Sequence, residues 1–121
     1  MPLTGEEMVY RYFRCIDNKD LKGILDLFDD DAVVHEPFSN IPGGLRGRSS
    51  IEPFLKVAMM ANNSLQRTIK IERASTPDAN KITALITFEK GDKVKGRFMF
   101  EFENGADGSK KIKSLNIEFF L

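Results

Sequence analysis

The hydrophobic pattern of this 121-residue chain changes period half-way along, and that change restricts the fold to helices packed on a sheet. In the first half, Met8, Val9, Tyr12, Phe13 and Ile16 recur at helical spacing behind Thr4, an N-cap with Glu7 at the capping-box position. Asn18 and Lys19 break that helix. Asp20 then caps a shorter one with Leu21, Ile24, Leu25 and Phe28 on its apolar face, closed by Asp29 to Asp31. Ala32 to Glu36 reads as a strand stopped by Pro37, with Ala32, Val34 and Glu36 on one face and Val33 and His35 on the other. Pro37 to Arg48 reads as a loop broken by Pro42, Gly43, Gly44 and Gly47. A third helix is expected from a cap at Ser50, which keeps Pro53 in the first turn, with Ile51, Phe54, Leu55, Ala58 and Met59 as its buried stripe.

The second half alternates. The four runs are Leu65, Ile69 and Ile71; then Ile82, Ala84, Ile86 and Phe88; then Phe98, Phe100 and Phe102; then Leu115, Ile117 and Phe119. Turns are expected at Thr76 to Asn80, at Gly91 and Asp92, and at Asn104 to Ser109, short enough for antiparallel hairpins. The expected fold class is α+β in a single domain over residues 1–121: a curved, mostly antiparallel sheet wrapped on three N-terminal helices.

Composition narrows the function. Eighteen basic residues balance eighteen acidic ones, so no net field favours nucleic acid or an anionic membrane. The longest apolar run, Val57 to Ala61, is far too short to span a bilayer. Cys15 is the only cysteine, which leaves no intrachain disulfide and makes the cytoplasm the default location. No signal-peptide pattern opens the chain. Ten Phe with no Trp indicate either a very aromatic core or an apolar cavity.

Few residues suggest chemistry. Glu36 shares its face with Val34 and Ala32, so it should point to the apolar side of the sheet, where lost solvation would make it a better base. The alternative is a strand-end carboxylate that reaches water or pairs with Arg46 or Arg48. Tyr12 lies on the buried stripe and can donate to a ligand oxygen or to a backbone carbonyl. His35 alternates to the opposite face and has no nucleophile partner. Consecutive Asp29, Asp30 and Asp31 diverge, which favours a solvated turn over a metal site, and the glycines after Pro42 have no phosphate-loop context. No metal or organic cofactor is expected. Phe13, Val34, Phe54, Phe98, Phe100, Leu115, Ile117 and Phe119 are the candidate lining of a pocket for a small apolar molecule. If the Phe side chains interdigitate instead, the core is solid. Thr83, Leu85, Thr87, Met99 and Phe120 make the other sheet face too apolar for full exposure, so a homodimer through it is expected.

The stretches YFRCIDNKD (Tyr12 to Asp20), LFDDDA (Leu27 to Ala32) and VHEPF (Val34 to Phe38), followed by Gly47, Ile51 and Phe54, resemble the SnoaL-like and ketosteroid isomerase-like branch of the nuclear transport factor 2-like superfamily. The likeness runs over nearly the whole chain and implies a cone-shaped fold of the cystatin-like type. In ketosteroid isomerases a first-helix Tyr donates to the substrate oxygen, an Asp before a Pro is the base, and a late-strand acid is a second donor. Carried over, the Tyr falls on Tyr12 and the base on Glu36, but the late-strand acid falls at or near Phe98. The resemblance therefore leaves two functions open. One is cofactor-free proton transfer by an isomerase, cyclase or dehydratase; the other is a non-catalytic ligand-binding or dimerisation module. Epoxide hydrolysis needs an Asp-Arg-Asp set in the cavity, and Arg97 alternates away from the Phe face.

Overall fold

A computed structural model describes residues 3–39, 41–61, 66–73, 80–90, 92–105 and 108–120. Its elements are α1 (Gly5–Asn18), α2 (Leu21–Asp26), β1 (Phe28–His35), β2 (Leu45–Arg46), α3 (Arg48–Ala61), β3 (Gln66–Arg73), β4 (Lys81–Lys90), β5 (Asp92–Asn104) and β6 (Lys110–Phe120). The strands form one open mixed sheet in the order β2-β1-β6-β5-β4-β3. The pairings from β3 to β6 are antiparallel neighbours in sequence, as hairpins require, and β1 runs parallel to β6.

The expected caps are present. Thr4 and Glu7 form a reciprocal capping box on α1, and Asp20 accepts from the Gly23 amide at the start of α2. Lys19 ends α1 in the left-handed region at φ 54°. That helix buries Met8, Val9, Tyr12, Phe13, Cys15 and Ile16. Against them lie Ile82, Ala84, Ile86, Phe98, Phe100, Phe102, Ile112, Leu115 and Ile117 from one face of the sheet. Each fully buried large apolar side chain contributes about 1.5–3 kcal/mol, so this interlayer contact dominates stability.

Three expectations are corrected. First, Phe28 to Asp31 open β1 and do not end a helix and turn. A register shift against β6 between Phe28 and Val33 accommodates the acidic triplet, with Asp30 and Asp31 left exposed. The Arg48 guanidinium holds the bulge by donating to the Phe28 carbonyl at 2.6 and 3.1 Å. Second, the Pro37–Arg48 loop contains β2, which pairs with Val33 and Val34. Third, α3 starts at Arg48 rather than after Ser50, which leaves Pro53 inside the helix. The reason is Gly47. At φ 86° its carbonyl accepts from Ser50 and Ile51, while its amide donates to Ala32 at 2.8 Å, so the loop enters the helix three residues early. Leu65 and the expected turn positions 76–79, 91 and 106–107 lie outside the described residues.

Candidate functional site

Where α1, α3 and the sheet diverge they leave a cavity of about 900 Å³. Tyr12, Phe13 and Ile16 line it from α1, and Pro53, Phe54, Val57 and Ala58 from α3. The sheet contributes Phe88, Val94, Phe98, Ile117 and Phe119, and the chain after β1 contributes Glu36, Phe38, Ser39 and Ile41. Of the expected lining, Phe13, Phe54, Phe98, Ile117 and Phe119 are present together with Tyr12 and Glu36. Val34, Phe100 and Leu115 are not. They are at most 2% exposed and belong to the solid core, because they pair in register across β1, β6 and β5 where the helices pack down. The Phe-rich core is thus solid in one part and hollow in another.

The aromatic rings are locked by mutual contacts. Tyr12 meets Phe13 edge-on at 4.9 Å and Phe100 at 5.5 Å, and Phe98 meets Phe13 at 5.2 Å. Gly96 creates space: a side chain there would approach the Phe119 and Phe98 rings to 3.1–3.2 Å, so both rings lie on bare backbone.

Four polar side chains line the cavity: Tyr12, Glu36, Ser39 and Ser50. Among the described residues none hydrogen-bonds the Tyr12 hydroxyl. Burial pushes its phenol well above the usual tyrosine value, and the Arg67 guanidinium pulls it back in part. The group therefore stays protonated and available as a donor. Glu36 follows β1 and is half-buried. It pairs with neither Arg46 nor Arg48. Its carboxylate accepts from the Phe38 amide at 2.8 Å, from the Ser39 amide at 3.1 Å and from the Ser39 hydroxyl. His35 is exposed on the other face, as its alternation predicts. Among the described residues no cluster of His, Cys, Asp or Glu could hold a metal, and no helix is long and apolar enough to cross a membrane.

The expected lining omitted Ile16, Phe38, Ser39, Pro53, Val57 and Phe88, among others, and beside the cavity it omitted Arg67. Arg67 on β3 pairs with Phe88 in register and so shares the core face with Ile69. Its side chain is 6% exposed, lies 4.9 Å over the Phe13 ring and bonds Asp17 at 2.7 Å. Beside it a smaller hollow of about 280 Å³ is lined by Tyr10, Arg14, Asp17 and Ile69, with Phe13 shared between the two spaces. The signal was the alternation of β3 itself, in which Arg67, Ile69 and Ile71 fall on one face. Arg97 faces outward, bonding Glu72 at 3.2 Å and covering the Phe120 ring at 4.8 Å, so it supplies no cavity arginine.

A family model described as SnoaL-like domain matches residues 9–113. The chain belongs to the SnoaL-like family. Solved structures share this fold at low identity. A ketosteroid isomerase-like protein from Erwinia carotovora atroseptica is 13% identical over 94% of this chain and 92% of its own, with a TM-score of 0.68. RV0760c from Mycobacterium tuberculosis, in complex with estradiol-17beta-hemisuccinate, is 22% identical over 94% and 92%, with a TM-score of 0.66. SalBIII, an epoxide hydrolase/cyclase-like enzyme of pyran ring formation in salinomycin, is 20% identical over 95% and 89%, with a TM-score of 0.65. No curated protein sequence matches this SnoaL-like chain.

Proposed function

We propose that this SnoaL-like domain binds an uncharged, polycyclic or similarly bulky apolar molecule that presents one acceptor oxygen to Tyr12. The observation that carries this reading is the pairing of a cavity of about 900 Å³ with a tyrosine hydroxyl that has no protein partner among the described residues. That volume is at the upper end of small-molecule sites, and an almost wholly apolar wall with few polar groups is their usual make-up. The estradiol-17beta-hemisuccinate bound by RV0760c has the same bulky fused-ring skeleton, although its succinyl carboxylate carries a charge. The single cysteine is buried and free, in keeping with a cytoplasmic location.

The test is calorimetric titration with a neutral fused-ring ketone and with the hydrocarbon of the same skeleton. The ketone should bind roughly two- to twelvefold more tightly, the value of one hydrogen bond, and Tyr12→Phe should abolish the difference. Failure of both molecules to bind at their solubility limit would refute the reading.

Proton transfer is the second reading, favoured by Glu36 being one of the few polar residues that line the cavity. Glu36 would remove a proton beside the ligand carbonyl and Tyr12 would stabilise the enolate oxygen. Deuterium exchange at the α-carbon of a bound ketone, present in the wild type and lost in Glu36→Gln, is the expected sign. Equal exchange in both proteins would leave ligand binding as the function.

A further inference from the structure

We propose that Glu36 is a positioning residue that holds Phe38 against Phe119 as a two-ring gate at the mouth of the apolar cavity. This rests on the reading that the cavity takes an apolar ligand.

Phe38 is 75% exposed although its ring also lines the cavity, which places it where cavity meets solvent. Ile41 and Val57, 48% and 64% exposed, share that boundary. So open a phenyl ring forgoes the gain of burial, and here it does so on the rim of an apolar cavity beside two further exposed apolar side chains. The Phe38 ring meets the Phe119 ring at 5.4 Å, tilted by 44°. Phe119 is the fixed half of the pair. It is braced by Phe88 at 6.1 Å and Phe98 at 6.4 Å, and it sits on the bare backbone of Gly96.

Among the described residues the aromatic contact of the Phe38 ring is Phe119 alone, whereas Phe119 also meets Phe88 and Phe98. Phe38 stands on a turn just outside the sheet, after Pro37, and its placement depends on what closes that turn. Glu36 closes it, with the three hydrogen bonds to Phe38 and Ser39 described above. Pro37 has no amide to compete and keeps Glu36 extended, which aims the carboxylate along the turn. The closure consists of exposed, local hydrogen bonds, the kind that open at small free-energy cost while the sheet stays intact. A ligand entering between Phe38 and Phe119 needs only that local opening.

The gate makes a kinetic claim. Loss of a binding contact speeds release alone, whereas loss of a gate speeds both entry and release. Stopped-flow fluorescence with Nile red, a neutral apolar probe, separates the two in the full chain. Phe38→Ala and Glu36→Ala should each raise the association and dissociation rate constants about three- to tenfold, the scale of one aromatic pair. Glu36→Gln, which keeps one acceptor oxygen, should fall between Glu36→Ala and the wild type. The double variant should be no faster than Phe38→Ala, because the two residues act on one closure. Unchanged rates in Glu36→Ala, faster release without faster entry, or additive effects in the double variant would each overturn the gate. A wild type that does not bind Nile red would overturn the cavity reading and the gate with it, whereas wild-type binding with any of the contrary kinetics overturns the gate alone.

Discussion

Tyr12→Phe removes one oxygen atom and leaves the packing in place. The ring that remains keeps its edge contacts with Phe13 at 4.9 Å, Phe100 at 5.5 Å and Phe28 at 6.3 Å. Were the hydroxyl bonded inside the protein, its loss would cost about 0.5–1.5 kcal/mol. With no partner among the described residues but access from the cavity, the hydroxyl carries less than the penalty of about 1–3 kcal/mol of a fully desolvated group. The expected result is a variant as stable as the wild type or more stable by up to about 1 kcal/mol, measured by urea unfolding at pH 7.

The same substitution has a signature in pH. Burial holds the Tyr12 phenol above its unfolded value near 10, so the folded state binds the proton more tightly than the unfolded state. Its contribution to stability is complete below pH 10 and is lost as pH rises from there toward the folded value. The slope is about 1.4 kcal/mol per pH unit for one fully coupled group. Wild-type stability should therefore drop relative to Tyr12→Phe between pH 10 and 11.5, with the two curves parallel below pH 9. A loss of more than about 1 kcal/mol at pH 7, or parallel curves throughout, would refute the picture of an unpartnered donor facing the cavity.

Phe98 is 5% exposed and touches Phe13, Phe88, Phe100 and Phe119, so Phe98→Asp should cost about 2–4 kcal/mol in chemical denaturation. Unchanged stability there would mean that the ring does not face the core. Cys15 is 4% exposed, and burial, reinforced by Asp20 and opposed by Arg11 and Arg14, raises its thiol. Native protein at pH 8 should therefore resist a disulfide reagent that reacts with the urea-unfolded chain, and comparable rates would contradict that burial. We propose that the outer sheet face, with Leu85 and Met99 half-buried and Phe120 38% exposed beneath Arg97, joins two copies. Sedimentation equilibrium should show a dimer at tens of micromolar that Phe120→Glu weakens, and a monomer at that concentration would remove the proposal.

The fold was legible because its signals are redundant. In α1, cap, capping box and apolar spacing all point to the same helix, and the alternating runs of the second half each carry three or more apolar positions. Legibility failed where one signal stood against another. Asp29 to Asp31 look like a turn by composition, yet the Arg48 guanidinium and the register shift with β6 hold them in a strand. Ser50 looks like a cap, yet the left-handed Gly47 supplies the accepting carbonyl. The cavity was harder, because alternation says which face a residue takes and not how far the opposing layer stands away. Phe98 and Phe100 alternate alike on β5, and only the first lines the hollow. Arg67 was overlooked because a charge on an apolar face breaks the pattern that reveals the face.

Glu36 shows how one short motif can serve two chemistries. A carboxylate before a proline is held in extended conformation, so its side chain can project into a cavity or fold forward over the turn. The choice depends on what offers the better hydrogen bonds. Ahead of Glu36 are two amides and a hydroxyl within reach, all from Phe38 and Ser39. Opposite it, the cavity wall is almost wholly apolar, and beyond the turn only Tyr12 and Ser50, among the described residues, line it with polar side chains. The turn therefore takes the carboxylate in the free protein. A ligand that brought its own proton donor into the cavity would have to compete with those three bonds, and in doing so it would release Phe38. Base and gate would then be coupled through one side chain, with proton transfer available only while the mouth is unlatched. An enzyme needs the mouth shut during the reaction, to exclude water from the developing charge. In this chain the carboxylate can hold the mouth shut or act on the ligand, and that conflict weighs toward binding.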